Sequence, residues 1–151
     1  MRPSEDSLEK ALTDSQPITW TRAGANAKTQ DMAKSVLLVE DDDDIREGMS
    51  ELLQLEGHRV FEASNGQEAL TLLEQSEERP GLIVLDLMMP VLDGHGFLAR
   101  LQNHNNPELR TIPVLIATAG RQSVTTGTTI GYLRKPIDAN DLLRFASEHC
   151  R

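Results

Sequence analysis

The chain has 151 residues, a hydrophobic fraction of 38% and few aromatic residues, three Phe, one Trp and one Tyr. That is room for one domain with an aliphatic core. A net charge of −9 argues against direct nucleic-acid binding and against an anionic membrane surface. No apolar run is long enough to cross a membrane and the N-terminus lacks the apolar centre of a secretory signal, so a cytoplasmic protein without membrane insertion is expected. The single cysteine, Cys150, excludes an internal disulfide and is expected to be an exposed thiol in a reducing compartment.

Residues 1–34 are polar, with Pro3, Pro17, Gly24 and scattered Ser and Thr. Their composition predicts a flexible extension ahead of a domain at 35–151. Leu8, Ala11 and Leu12 could line a short helix, and Ile18 and Trp20 could dock. Met32 opens "MAKSVLLVEDD" and is a second candidate start. Within residues 1–35, Arg2, Lys10, Arg22, Lys28 and Lys34 balance Glu5, Asp6, Glu9, Asp14 and Asp31, so the whole net charge falls on the domain.

From Val36 onward strand and helix patterns alternate. Val36–Val39 is a short apolar run, followed by Ile45, Met49, Leu52 and Leu53 at helical spacing and a stop at Gly57. "RVFEA" reads as a strand. "SNGQEALTLLEQ" reads as a helix carrying Ala69, Leu70, Leu72 and Leu73, opened by a capping box of Asn65 and Glu68. "GLIVLD" is an apolar strand ending at Asp86. "HGFLARLQNH" sets Phe97, Leu98 and Leu101 on one helical face, with Asp93 as N-cap. "IPVLIATA" and "GYLRKP" are the last strands. "DANDLLRFASEH" is a closing helix capped by Asp138, with Leu142, Leu143 and Ala146 facing inward. The alternation predicts right-handed βαβ units. Uninterrupted apolarity in the third and fourth strands places them centrally, covered on both faces. A doubly wound, five-stranded parallel sheet of flavodoxin-like order 2-1-3-4-5 is expected.

Such sheets bind ligands beyond the carboxyl ends of their strands, at the point where strand order reverses. The first strand runs into Glu40 and Asp41 and the third into Asp86. In the expected order these strands are neighbours, so three carboxylates meet. A hard divalent cation offsets such a cluster, and Mg²⁺ favours one or two carboxylates with water and phosphate oxygens. The fourth strand ends on the hydroxyl of Thr118 and the fifth on Lys135, a compact cation suited to a phosphoryl oxygen. Lys135 is the sole lysine in residues 36–151, where every other cation is arginine.

These residues resemble the receiver domain of two-component response regulators, through "VLLVEDD", "VLDLMMPVLDG", "PVLIATA" and "GYLRKP", from about Val36 to the C-terminus. The resemblance implies Asp86 as phospho-acceptor, with Glu40 and Asp41 in the acidic pocket. The backbone carbonyl of Met88 would complete a Mg²⁺ shell. Thr118 and Lys135 would contact the phosphoryl group, and Tyr132 would be the aromatic that changes rotamer on activation. A sensor histidine kinase or histidine phosphotransfer protein would donate the phosphoryl group to Asp86. A downstream protein target would read the result, and enzymatic activity would be confined to the protein's own phosphorylation and dephosphorylation.

Plainer readings stand beside these. Acids at a helix start favour the dipole and cap free amides, so Asp43 and Asp44 are expected to cap the first helix, with Asp42 at the border. An EF-hand loop counted from Asp43 fails, because its third position is Ile45 and its twelfth Gln54. His58, His95, His104 and His149 lack metal-ligand spacing and are expected on solvated surface. Residues 120–130, "GRQSVTTGTTI", are short for a helical crossover and poor in helix formers. The family's fourth helix is therefore expected to be truncated, melted or replaced by a loop, which alters the face used for partner binding. Because the chain ends with its last helix, a stand-alone receiver is expected. Two alternatives remain: a pseudo-receiver that binds partners without phosphorylation, and a small Mg²⁺-dependent phosphatase. The latter wants a second aspartate two past Asp86, where Met88 stands.

Overall fold

The computed structural model describes residues 35–119 and 128–150. Strands β1 (Ser35–Val39), β2 (Arg59–Ala63), β3 (Leu82–Leu85), β4 (Val114–Thr118) and β5 (Thr129–Arg134) form one sheet in the order β2-β1-β3-β4-β5. Every neighbouring pair is parallel. Helices α1 (Asp43–Leu55), α2 (Gly66–Gln75) and α3 (Gly94–Gln102) follow the first three strands, and α4 (Ala139–His149) closes the domain. A 3₁₀ turn at Leu109–Thr111 leads into β4. The expected doubly wound, flavodoxin-like sheet is the one found. The expectation about the crossover, residues 120–130, falls largely outside the described residues.

Alternation along the strands sorts the core into two layers. Leu37, Val39, Ile83, Leu85, Val114 and Ile116 pack against Ala69, Leu70 and Leu73 of α2 and Phe97, Leu98 and Leu101 of α3. Val36, Leu38, Leu82, Val84, Leu115 and Ala117 face the other way, onto Met49 and Leu53 of α1 and Leu142 and Ala146 of α4. The sheet is thus covered on both sides, which explains strands apolar at every position. Burying each of these large aliphatic side chains contributes roughly 1.5–3 kcal/mol.

The helix starts follow the capping chemistry, with one correction. Asn65 caps α2 through Glu68 N–H at 2.8 Å, and Glu68 reaches back to the amide and hydroxyl of Ser64. Asp93 caps α3 and Asp138 caps α4. In α1, however, the cap is Asp42, which accepts from Ile45 N–H at 3.0 Å, while Asp43 and Asp44 occupy the first turn. The helix therefore begins two residues before Ile45, and the acids expected as caps instead complement the dipole. Gly57, at φ +92°, turns the chain out of α1, a conformation only glycine adopts cheaply.

Three further expectations are corrected. Cys150 is not exposed but 2% accessible, its Sγ 3.5 Å from the Ser35 carbonyl. It extends the inward stripe of Leu142 and Ala146 by one more turn, and burial pushes its thiol up to about 12. Of the four histidines only His95 is exposed. His104 is half-buried, with Nε2 2.9 Å from Glu74. Strand β5 begins at Thr129, ahead of Gly131, because a bulge lets Val114 pair with Thr129 and Leu115 with Gly131. Among the described residues no helix is long and apolar enough to cross a membrane.

Candidate functional site

The register decides where the strand ends meet. Val39 pairs with Leu85, so the next residues, Glu40 and Asp86, leave the sheet side by side. Asp86 N–H donates to the Val39 carbonyl at 3.0 Å and Glu40 N–H to that of Ala63 at 3.0 Å, extending the ladders to the acids themselves. Carboxylate oxygens of Glu40, Asp41 and Asp86 lie within 4.8 Å of one another. Glu40 and Asp86 are 1% and 3% exposed, whereas Asp41 faces solvent. Two buried carboxylates and one open one form a donor set that fits a small hard dication entering from solution.

Lys135 closes the site from the far edge of the sheet. Its backbone N–H donates to the Thr118 carbonyl at 3.0 Å, which extends the β4–β5 ladder to this residue. Nζ lies 2.8 Å from Glu40 Oε1 and 3.3 Å from Asp86 Oδ2. One ammonium thus bridges two acids on different strands. Thr118 is buried at the end of β4. By strand alternation its side chain follows Ile116 onto the α2–α3 side, the face that Tyr132 shares as the registered partner of Ile116. Tyr132 is 40% exposed.

Charge and burial pull against each other here. Burial raises the Glu40 carboxyl above its ordinary range; the Lys135 ammonium and the Asp42 amide oppose that, and the charge on Asp86 reinforces it. For Lys135 burial acts to lower the ammonium, but Glu40 and Asp86 outweigh it and hold it above its usual value. The site's own side chains thus set one ammonium, Lys135, among three carboxylates.

The loop after Asp86 is held from below. Met88 N–H donates to Asp86 Oδ1 at 3.1 Å, while the Met88 side chain is mostly exposed. Gly94 N–H donates to the Leu87 carbonyl at 3.1 Å. A Cβ on Gly94 would stand 2.6 Å from Leu87 Cα and 2.7 Å from the Asp86 carbonyl oxygen. Gly66, opening α2, has the same relation to the loop's far end, where a Cβ would meet the Leu92 carbonyl at 2.6 Å. Between them Val91 adopts φ +66°, an uncommon conformation for a β-branched residue.

Glu40, Asp41, Asp86 and Lys135 are therefore gathered into one site, with Thr118 at the neighbouring strand end. Two residues escaped the sequence reading, Gly94 and Arg46. Arg46 Nη1 donates to the Glu40 carbonyl at 2.8 Å. Its i,i+3 pairing with Asp43, Nη2 to Oδ1 at 2.7 Å, was a visible signal. Its reach to Glu62 on β2 depends on tertiary pairing.

Comparison with known proteins bears on the family of the chain. The response regulator receiver domain family matches residues 36–146. An uncharacterised 14.6 kDa protein of Leptolyngbya boryana is 36% identical over 76% of this chain and 88% of its own length. The Streptomyces coelicolor transcriptional regulatory protein AfsQ1 is 37% identical over 72% of this chain and 47% of its own. The positive alginate biosynthesis regulatory protein of Pseudomonas aeruginosa is 39% identical, over 72% and 44%. The chain thus spans less than half of these two regulators. Among solved structures, the chemotaxis protein CheY4 of Vibrio cholerae superposes with a TM-score of 0.62 at 28% identity, covering 76% of this chain and 97% of that one. A Francisella response regulator receiver domain gives 0.64 at 27%, covering 76% and 94%. With the family match running over residues 36–146 and a relative 36% identical over most of its length, the chain belongs to the response regulator receiver domain family, the phosphoacceptor signalling modules of two-component systems.

Proposed function

We propose that Asp86 accepts a phosphoryl group from the phosphohistidine of a sensor kinase or histidine phosphotransfer protein, and that the resulting aspartyl phosphate is read by a downstream protein. The observation that carries this is the Lys135 ammonium spanning Glu40 and Asp86 at 2.8 and 3.3 Å beside a third carboxylate. A carboxylate oxygen of Asp86 attacks phosphorus, the P–N bond breaks, and the imidazole leaves as the P–O bond of the acyl phosphate forms. Lys135 turns from Asp86 toward the incoming oxygens and stabilises their charge, and the Thr118 hydroxyl donates to one of them. Glu40, Asp41, Asp86 and the backbone carbonyl of Met88 are the groups that would hold Mg²⁺. When bound, that ion supplies neutralisation of the transferring phosphoryl oxygens. Pulling Thr118 toward the phosphoryl group changes the space beside Tyr132 on the same sheet face, a switch readable at the surface.

Incubation with acetyl phosphate and Mg²⁺ should add one phosphoryl mass to the intact protein, and Asp86→Ala should abolish the gain. No adduct on the unaltered protein would favour an interaction module that works without phosphorylation, and turnover of free phosphoesters would favour a phosphatase.

Proton competition gives a second expectation. Because the folded-state pKa of Glu40 is raised, its contribution to metal-free stability is greatest below the usual carboxyl range and is lost as pH rises through the raised value. Mg²⁺ takes the deprotonated form, so its stabilisation runs the other way. The Mg²⁺-induced rise in melting temperature should be largest near neutral pH and shrink on acidification toward the carboxyl range. At a hundredfold excess over the dissociation constant the neutral-pH gain is about 2.7 kcal/mol, and EDTA should remove it. Equal shifts at every pH would contradict this.

A further inference from the structure

We infer that Arg46, which contributes no ligand to the site, is the positioning residue that holds Glu40 and Asp41 in metal-binding geometry; this rests on the Mg²⁺ site proposed above. The guanidinium makes three directed contacts to three separate parts of the fold. Nη1 donates to the Glu40 carbonyl at 2.8 Å, Nη2 to Asp43 Oδ1 at 2.7 Å in the first turn of α1, and Nε to Glu62 Oε1 at 3.2 Å on β2. The side chain is 15% exposed. Only a planar fork with several fixed donors can satisfy acceptors in such different directions.

The point of attachment matters. The turn from β1 into α1 spans Glu40 to Asp42 and carries two of the three carboxylates. Its Glu40 N–H is fixed to the Ala63 carbonyl on β2, and its Glu40 side chain is fixed by Asp42 N–H at 3.1 Å and by Lys135. The Glu40 carbonyl, which begins the peptide leading to Asp41, is anchored by Arg46. Without that anchor the exposed Asp41 is free to swing away from Glu40 and Asp86. Asp43 and Glu62 in turn neutralise the guanidinium, so its presence near a cation site is tolerated.

Positioning and simple electrostatics predict opposite signs, which makes the inference testable. If Arg46 acted only through its charge, removing it would strengthen binding of a dication. If it positions the turn, removing it weakens binding, and lysine, which keeps the charge and loses the fork, does not restore it. Calorimetric titration of the 151-residue chain with Mg²⁺ alone should give a dissociation constant about tenfold weaker in both Arg46→Met and Arg46→Lys, in the 10- to 100-fold range typical of groups that orient ligands. Circular dichroism and melting temperature without metal report folding separately. Should Arg46→Met fail to fold, Arg46→Lys carries the comparison. Unchanged or tighter Mg²⁺ binding in the folded variants overturns the role of Arg46 and leaves the metal site standing. Absence of Mg²⁺ binding by the unaltered protein overturns both.

Discussion

Lys135→Met is expected to slow phosphorylation by acetyl phosphate at least 100-fold, the scale on which a preorganised charge-stabilising group acts. It should also destabilise the metal-free protein by about 2–4 kcal/mol, somewhat below the cost of stripping the partner from a fully buried ion pair because the lysine is not fully desolvated. The cause is explicit in the geometry: Glu40 and Asp86 are almost wholly buried and share this one ammonium. Without it Glu40 keeps only the Asp42 amide against burial and the charge on Asp86. Its carboxyl rises further, so the variant should recover stability as pH falls, and Mg²⁺ should stabilise it more than it does the unaltered protein. Lys135→Arg should not restore the rate, because a planar guanidinium cannot replace a compact ammonium between two acids on adjacent strands. Stopped-flow or mass-resolved initial rates, with melts with and without Mg²⁺, check each part. A variant phosphorylated at the original rate would remove Lys135 from the chemistry.

The second large effect is expected at Gly94→Ala. The added methyl group would meet backbone on two sides, Leu87 Cα and the Asp86 carbonyl, and no rotamer change relieves a clash with main chain. Either α3 backs away from the sheet or the Asp86–Leu87 peptide moves. Overpacking of this kind costs about 1–3 kcal/mol, and displacement of a reacting group by about 1 Å can cost 100-fold in rate. Gly48→Ala is the matched control. Gly48 lies within α1 with nothing within 4 Å of its Cβ position, so alanine there should stabilise by up to about 1 kcal/mol through helix propensity and leave phosphorylation unchanged. Equal effects of the two substitutions would sink the account of the Asp86 loop.

These two positions also show where sequence reasoning succeeds and where it stops. Lys135 was legible because it stands at a strand end as the one lysine among arginines, and strand ends are where a parallel sheet presents its ligands. The strands themselves were legible from runs such as Leu82–Leu85, apolar at every position, and the helix starts from Asn65, Asp93 and Asp138. Gly94 was not, because its requirement comes from the backbone of Leu87, seven residues earlier, brought against α3 only in the folded protein. The same holds for Arg46, whose contact with Glu62 exists only once β1 and β2 pair. In Glu40–Asp44 five acids in a row offer no local difference by which to tell a cap from its neighbours. Asp42 takes that place because the helix phase is set by Met49 and Leu53 inside the core. Cys150 is a different case. Leu142, Ala146 and Cys150 recur every four residues, so the inward stripe is written in the sequence even though Cys150 stands next to the last residue.

Asp86 is proposed to carry the phosphoryl group, and its chemistry allows a direct test. Hydride reduction converts an aspartyl phosphate to homoserine, which marks the acceptor permanently. After incubation with acetyl phosphate and Mg²⁺, reduction with borohydride and peptide mass spectrometry, homoserine is predicted at position 86, absent when Mg²⁺ is chelated. Homoserine at Asp41, Asp42 or any other acid with Asp86 intact, or none at all, would contradict the account.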